Sequence, residues 1–199
     1  LLAGSAGLAA HLPAVWGLPQ APVTGAPGPV AGPILFVAAS QHPALAGQLA
    51  YLRSHAEVVV VGQVVEGLLI RGSGVAGRRS ATLTTVLARG QDAVLTTQGE
   101  PRVAGGERRV AACLAEVVGL TLALVRPAAL VLTGGDVAAA VCRGLLSQAI
   151  AAEGEVEPGI PWGRLVGGPA SGMCLVTKAG GFGSEQVFWH ILQALRGQL

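Results

Sequence analysis

Charged residues are scarce in this sequence: they make up 12% of 199 residues, against a usual share of ~25%. Hydrophobic residues make up 51%. Intrinsic disorder needs the opposite balance and is excluded. Lysine is scarcer still, because Lys178 is the single Lys among 13 basic residues. Aspartate occurs twice, as Asp92 and Asp136. Aromatic residues make up 4%, and the net charge of +2 is spread thinly, with Arg78-Arg79 and Arg108-Arg109 as isolated pairs. A nucleic-acid surface calls for a basic stripe with stacking rings, so no nucleic-acid partner is expected. Long apolar runs are missing too. The longest, residues 110–125, contains Glu116 and stops before Pro127. A membrane-spanning helix needs ~20 apolar residues, so no membrane partner is expected. Three cysteines, Cys113, Cys142 and Cys174, are odd in number and widely spaced. They read as reduced packing thiols of a cytoplasmic protein rather than a disulfide framework. No basic segment precedes an apolar run at the start, so no secretory signal is visible, and the start at Leu1 reads as a truncation. No His/Cys set has zinc spacing, and no G-x-S-x-G nucleophile elbow is present.

What the chain does contain is glycine, 30 residues of it, and many short apolar segments. Proline and glycine are dense over residues 17–33, which reads as a linker with a boundary near Gly32. Three parts are therefore expected: residues 1–16, a linker over 17–33, and one domain over 34–199. In that domain, strands are predicted at 34–38, 57–61, 93–97, 128–133, 150–156 and 174–177, with a weaker strand signal at 64–70. Helices are predicted at 43–55, 76–90, 105–126, 137–146 and 184–195, and residues 158–169 read as a loop. Such alternation predicts an α/β fold: three layers, a mostly parallel sheet with helices on both faces. Ligands of such sheets sit at the carboxyl ends of the strands.

Two glycine-rich turns fall at that edge. Thr133-Gly134-Gly135-Asp136 joins a strand to a helix. Its glycines permit close backbone approach, and the helix N-terminus favours an anion. The plainer reading is a tight βα turn with Asp136 capping the helix. Lys178-Ala179-Gly180-Gly181-Phe182-Gly183 follows the last strand. Here a lysine charge and exposed backbone N–H groups could hold phosphate, or the Lys could stand beside a turn that is merely flexible. Neither turn has Walker or dinucleotide-fold spacing. The segment Glu155-Val156-Glu157-Pro158-Gly159-Ile160-Pro161-Trp162-Gly163 carries two carboxylates and a Trp; it could flank an adenine, hold a metal, or serve as a stiff connector.

The order of these motifs resembles the four-carbon acid sugar kinases. The matching pieces are Val37-Ala38-Ala39-Ser40-Gln41-His42-Pro43 with Gln48, the Thr133 and Lys178 turns, and the Glu155–Pro161 segment. Residues 3–9 are similar to the end of the family's N-terminal, substrate-binding domain. The family has Gly before the serine matching Ser40, where this chain has Ala39, and a second serine where it has His42. The resemblance implies a three-part fragment: a remnant of the substrate domain, the linker and a nucleotide-binding domain. It implies ATP and Mg²⁺ as cofactors, contacted by Ser40, Gly134, Gly135, Asp136, Val137, Gly180 and Gly181. Lys178 would neutralise charge, and Asp136 would meet magnesium through water. The implied reaction phosphorylates threonate, erythronate or a 3-oxo-tetronate at its terminal hydroxyl. The sugar acid and the catalytic base would belong to the missing domain, so this fragment alone would be inactive, and its apolar docking face would favour a homo-oligomer. A non-catalytic nucleotide- or sugar-phosphate-binding module is the competing reading.

Overall fold

The computed structural model describes residues 3–4, 6–18, 25–40, 42–62, 73–100 and 105–198. The weaker strand signal at 64–70 lies outside the described residues. A first helix, α1 (Ala6–Val15), precedes the sheet and carries Pro13 within it. The sheet begins with β1 (Ile34–Ala38), whose five residues are all buried. It is followed by α2 (Ala44–His55), β2 (Val58–Gly62), α3 (Ser73–Ala88) and β3 (Asp92–Thr96). Then come α4 (Glu107–Leu122), β4 (Ala129–Thr133), α5 (Gly135–Gly144), β5 (Ala149–Glu157), β6 (Ile160–Val166), β7 (Cys174–Lys178) and α6 (Val187–Arg196).

The seven strands lie in the order β2-β3-β1-β4-β7-β6-β5, parallel from β2 to β7 and antiparallel from β7 through β6 to β5. Strands buried on both faces need apolar residues at every position, which is why β1 and β4 read as unbroken apolar runs. Alternate residues serve different layers. Leu35, Val37, Leu130 and Leu132 pack with α3, α4 and α5, while Ile34, Phe36, Ala129 and Val131 pack with α2 and α6. The expected three-layer α/β architecture is thus present.

The expected loop at 158–169 is instead largely strand. β6 pairs with β5 and, through Trp162, Gly163 and Arg164, with β7. Pro161 and Gly163 hid its alternation, although Ile160, Trp162 and Leu165 are buried. Gly163 is required there, because any Cβ would collide with the carbonyl of Ala151 across the hairpin.

The proline-rich segment before β1 is held against the domain from Gly25 onward. Trp162 Nε1 donates to the Gly25 carbonyl at 3.0 Å and the Val30 amide donates to Leu195 O at 2.8 Å. Arg196 Nη1 donates to Gly32 O at 2.7 Å. Asp92 ties this end together: its Oδ1 accepts from the Ile34 amide at 2.7 Å, and its carboxylate receives Arg196 Nη2 at 2.7 and 2.9 Å.

Candidate functional site

Strand register places the carboxyl ends level. Gly62, Thr96, Ala38, Thr133 and Lys178 form one row across the five parallel strands. β1 leads through α2 to one side of the sheet and β4 through α5 to the other, so the switch point of the fold lies between them. Ligand crevices of open α/β sheets form at such points. Both glycine turns and the Ser40 loop leave the row there.

The first turn opens on Gly134, which has φ +95° and ψ 132° and stands as the N-cap of α5. No L side chain adopts that conformation without strain. No side chain caps the helix, so the expected capping role of Asp136 is not made. The first amides of α5, those of Gly135, Asp136 and Val137, have no partner inside the helix. A Cβ at Gly134 or Gly135 would meet nothing within 4 Å, so the turn faces open space. Val137 is buried in the core. Asp136 is exposed and lines a groove between α4 and α5 with Arg108 and Arg143. Among the described residues no group of three or more His, Cys, Asp or Glu converges as a metal site. Magnesium is commonly held by one or two carboxylates plus substrate phosphates, so a single carboxylate in the first turn is compatible with a metal that arrives on its nucleotide.

The second turn is built differently from the expectation. Lys178 is 2% exposed, and its Nζ donates to the carbonyls of Ala179, Gly180 and Phe182 at 3.2, 2.8 and 2.9 Å. An ammonium has three donors, and all three are used. The Phe188 ring lies 5.6 Å away. Burial lowers the Lys178 pKa from 10.5 to about 8. From α2, Gln48, 1% exposed, sends Nε2 to the carbonyls of Phe182, Gly183 and Ser184 at 3.2, 3.3 and 3.1 Å. Two buried side chains therefore turn five loop carbonyls inward. A trans peptide is planar, so its N–H points opposite to its C=O. No described peptide bond is cis. The amides of Gly180, Gly181, Gly183, Ser184 and Glu185 consequently face away from the core. Successive outward amides of this kind form an anion nest.

The Ser40 loop closes on this nest. A Cβ at Gly180 would lie 2.5 Å from Ser40 Oγ, and one at Gly181 would lie 2.7 Å from His42 Nε2. Both glycines are needed for that approach. Ser40 Oγ accepts from the His42 amide at 3.1 Å, and His42 Nδ1 accepts from the Ala44 amide at 3.2 Å. Ser40 and His42 also line a polar cavity of about 270 Å³ with Thr97, Gln98 and Glu100 from the end of β3. Three buried polar atoms here, Gln48 Oε1, Thr97 Oγ1 and Thr133 Oγ1, have no hydrogen-bond partner among the described residues. The Glu155–Trp162 segment is the turn end of the β5–β6 hairpin: Glu157 pairs with His190, and Trp162 is buried with its Nε1 on Gly25.

A family model described as a nucleotide-binding C-terminal domain matches residues 35–188. The chain belongs to that family. The glycine turns, the Ser40 loop and Gln48 all lie inside the matched span. Curated relatives include the D-threonate kinase of Bordetella bronchiseptica, 36% identical over 97% of this chain and 45% of its own length. Another is the D-threonate kinase of Cupriavidus necator, 34% identical over 96% of this chain and 46% of its own. The chain spans about half the length of these kinases. A solved B. bronchiseptica domain of unknown function, described with bound citrate and as a domain-swapped dimer, is 35% identical with TM-score 0.71, over 84% of this chain and 42% of its own. A Haemophilus influenzae structure has TM-score 0.73 at 17% identity, over 92% of this chain and 44% of its own, and shows the fold alone.

Within this nucleotide-binding domain, sequence reasoning missed the work of Gln48 and of the β3 end. The signal for Gln48 was present, since a polar residue on the buried face of an apolar helix needs partners.

Proposed function

We propose that this chain is the ATP-binding half of a kinase that phosphorylates a four-carbon sugar acid, of the threonate, erythronate or 3-oxo-tetronate type, at its terminal hydroxyl. The observation that carries the proposal is the glycine loop with its carbonyls drawn inward by Lys178 and Gln48. Its outward amides stand beside the free amides of the α5 N-terminus, with Ser40 Oγ against Gly180. Two sets of fixed backbone donors on one sheet edge suit a polyphosphate. The D-threonate kinases, 36% and 34% identical to this chain, support the sugar-acid half of the reading.

Phosphoryl transfer rests on positioning and electrostatic stabilisation. Gly134, Gly135, Val137, Gly180 and Gly181 supply backbone for the phosphates, and Ser40 a hydroxyl. Lys178 acts from beneath as the brace of the nest. Magnesium comes with the nucleotide, and Asp136 is assigned at most a contact through water. Residues 1–16 belong in this reading to the end of a substrate-binding domain that supplies the sugar acid and the base.

Calorimetry with ATP, with and without magnesium, tests the proposal. ATP should bind, magnesium should change that binding, and the chain alone should not phosphorylate D-threonate. Absence of ATP binding at millimolar concentration would refute the nucleotide reading. Turnover by the isolated chain would refute the division of labour.

A further inference from the structure

A second cavity, of about 430 Å³, opens directly beside the Gly134–Gly135 turn. Ala138, Ala139 and Cys142 of α5 form one wall, Ile150 of β5 another, and Thr177, Lys178 and Ala179 complete it. Positions 135, 138, 139 and 142 follow the i, i+3, i+4, i+7 spacing of one helix face, and all four residues are small. Ile150 is 44% exposed on the opposite wall. Lys178 is the one charged residue on the lining, and its ammonium is held by the loop carbonyls of Ala179, Gly180 and Phe182. Phosphate has no free counter-charge there, whereas a flat aromatic ring does find apolar walls.

The other cavities differ in chemistry or in place. The pocket at Ser40, Thr97 and Glu100 is polar. The groove holding Asp136 is flanked by Arg108, Glu116 and Arg143. An apolar cavity of about 250 Å³ lies by Arg126, Pro169 and Met173, residues that precede β4 and β7 and so sit at the far end of the sheet. The cavity at Ala138, Ala139 and Cys142 is apolar and opens on Gly134 and Gly135, whereas the groove that shares Ala139 with it meets the turn through Asp136 and is edged by Arg108, Glu116 and Arg143.

We propose that this cavity is the nucleobase slot, with the purine lying between the small face of α5 and Ile150. The inference rests on the nucleotide reading above and adds a direction to it. With the base on the β5 side of Gly134, the phosphates run across Gly134–Gly135 toward Gly180 and Ser40. The terminal phosphate then ends at the Ser40–His42 loop, beside the polar cavity of Thr97 and Glu100. An acceptor hydroxyl must approach from that side.

Two probes separate base from phosphate: ATP and inorganic tripolyphosphate, each titrated calorimetrically into the chain and into Ala139→Leu. Ala139 is exposed on a helix and Leu is a good helix former, so folding should persist. The slot predicts that Ala139→Leu weakens ATP roughly tenfold or more and leaves tripolyphosphate unchanged. Cys142 gives a second readout that needs no substitution. Burial raises the pKa of this half-buried thiol, so alkylation by N-ethylmaleimide should be slow. Read residue by residue by mass spectrometry, ATP should protect Cys142 and tripolyphosphate should not, with Cys113 on α4 alkylated alike in both. If Ala139→Leu weakens both ligands equally or neither, or if tripolyphosphate protects Cys142 as well as ATP does, the slot is elsewhere. If neither ligand binds the unsubstituted chain, the proposed function fails and takes the slot with it.

Discussion

Among single residues, Lys178 changed most between sequence and structure. Its position beside three glycines was legible, but the reach of its side chain was not. A lysine at a strand end can point along the strand or fold back, and here the register that buries Val176 also buries Lys178 on the α2 face. A brace and a point charge make different predictions. Lys178→Met should cost on the order of 3 kcal/mol in denaturant unfolding, because loop carbonyls lose their buried donor. It should also abolish measurable nucleotide binding. Lys178→Arg keeps the charge but not the compact three-way fit, so it too should lose binding; a point-charge role would preserve it. Gly135→Val should lower nucleotide affinity at least tenfold, ~1.4 kcal/mol, with little change in stability, since its Cβ points into open space. Protonation adds a pH dependence. Lys178 loses its proton near pH 8 when folded, whereas the unfolded group holds it to about 10.5. Between those values the unfolded chain binds more protons, so this group makes stability rise with pH. Nucleotide affinity should move the opposite way, falling above pH 8 as one carbonyl contact is lost. Isotherms at pH 7 and pH 9.5 check this, and Lys178→Met should show no such step in stability.

Among elements, the five parallel strands and the helices between them were legible because each is an apolar run bounded by glycine, proline or a cap. The β5–β6 hairpin was half legible. Its first strand was expected, but Pro161 and Gly163 made the second resemble a loop. Their reasons are tertiary: Gly163 leaves room for the Ala151 carbonyl, and the buried face is set by Trp162. No local pattern contains that information. The two aspartates divide similarly. Asp92 opens β3, yet its work is to join the start of β1 to the end of α6 through Ile34 and Arg196. Asp92→Ala should therefore cost about 2–3 kcal/mol in urea unfolding, as hydrogen bonds to a charged group do. Arg196→Ala should show most of the same loss, and the double variant should be less than additive.

Over the whole molecule, the segment before β1 behaves as part of the domain from Gly25 onward, although its composition reads as a linker. Bonds from Trp162, Arg196 and the Val30 amide involve backbone atoms that residue identity barely constrains, so composition does not reveal them. Deleting residues 1–24 should leave the urea midpoint nearly unchanged. Deleting residues 1–32 should lower stability by about 2 kcal/mol or more, at ~1 kcal/mol per hydrogen bond lost. The nucleotide reading likewise needed the whole: no single turn has a recognised phosphate-loop spacing, and the nest exists only because α2, β7 and the Ser40 loop meet. One consequence of that meeting reaches beyond binding. The brace is also the sole lysine of the chain, so its amine carries a chemical signature free of background from other lysines. An amine-reactive acylating reagent would find Nζ only when the glycine loop lets go. The acylation rate of this one side chain is thus a built-in clock for loop opening, and a bound nucleotide should slow it.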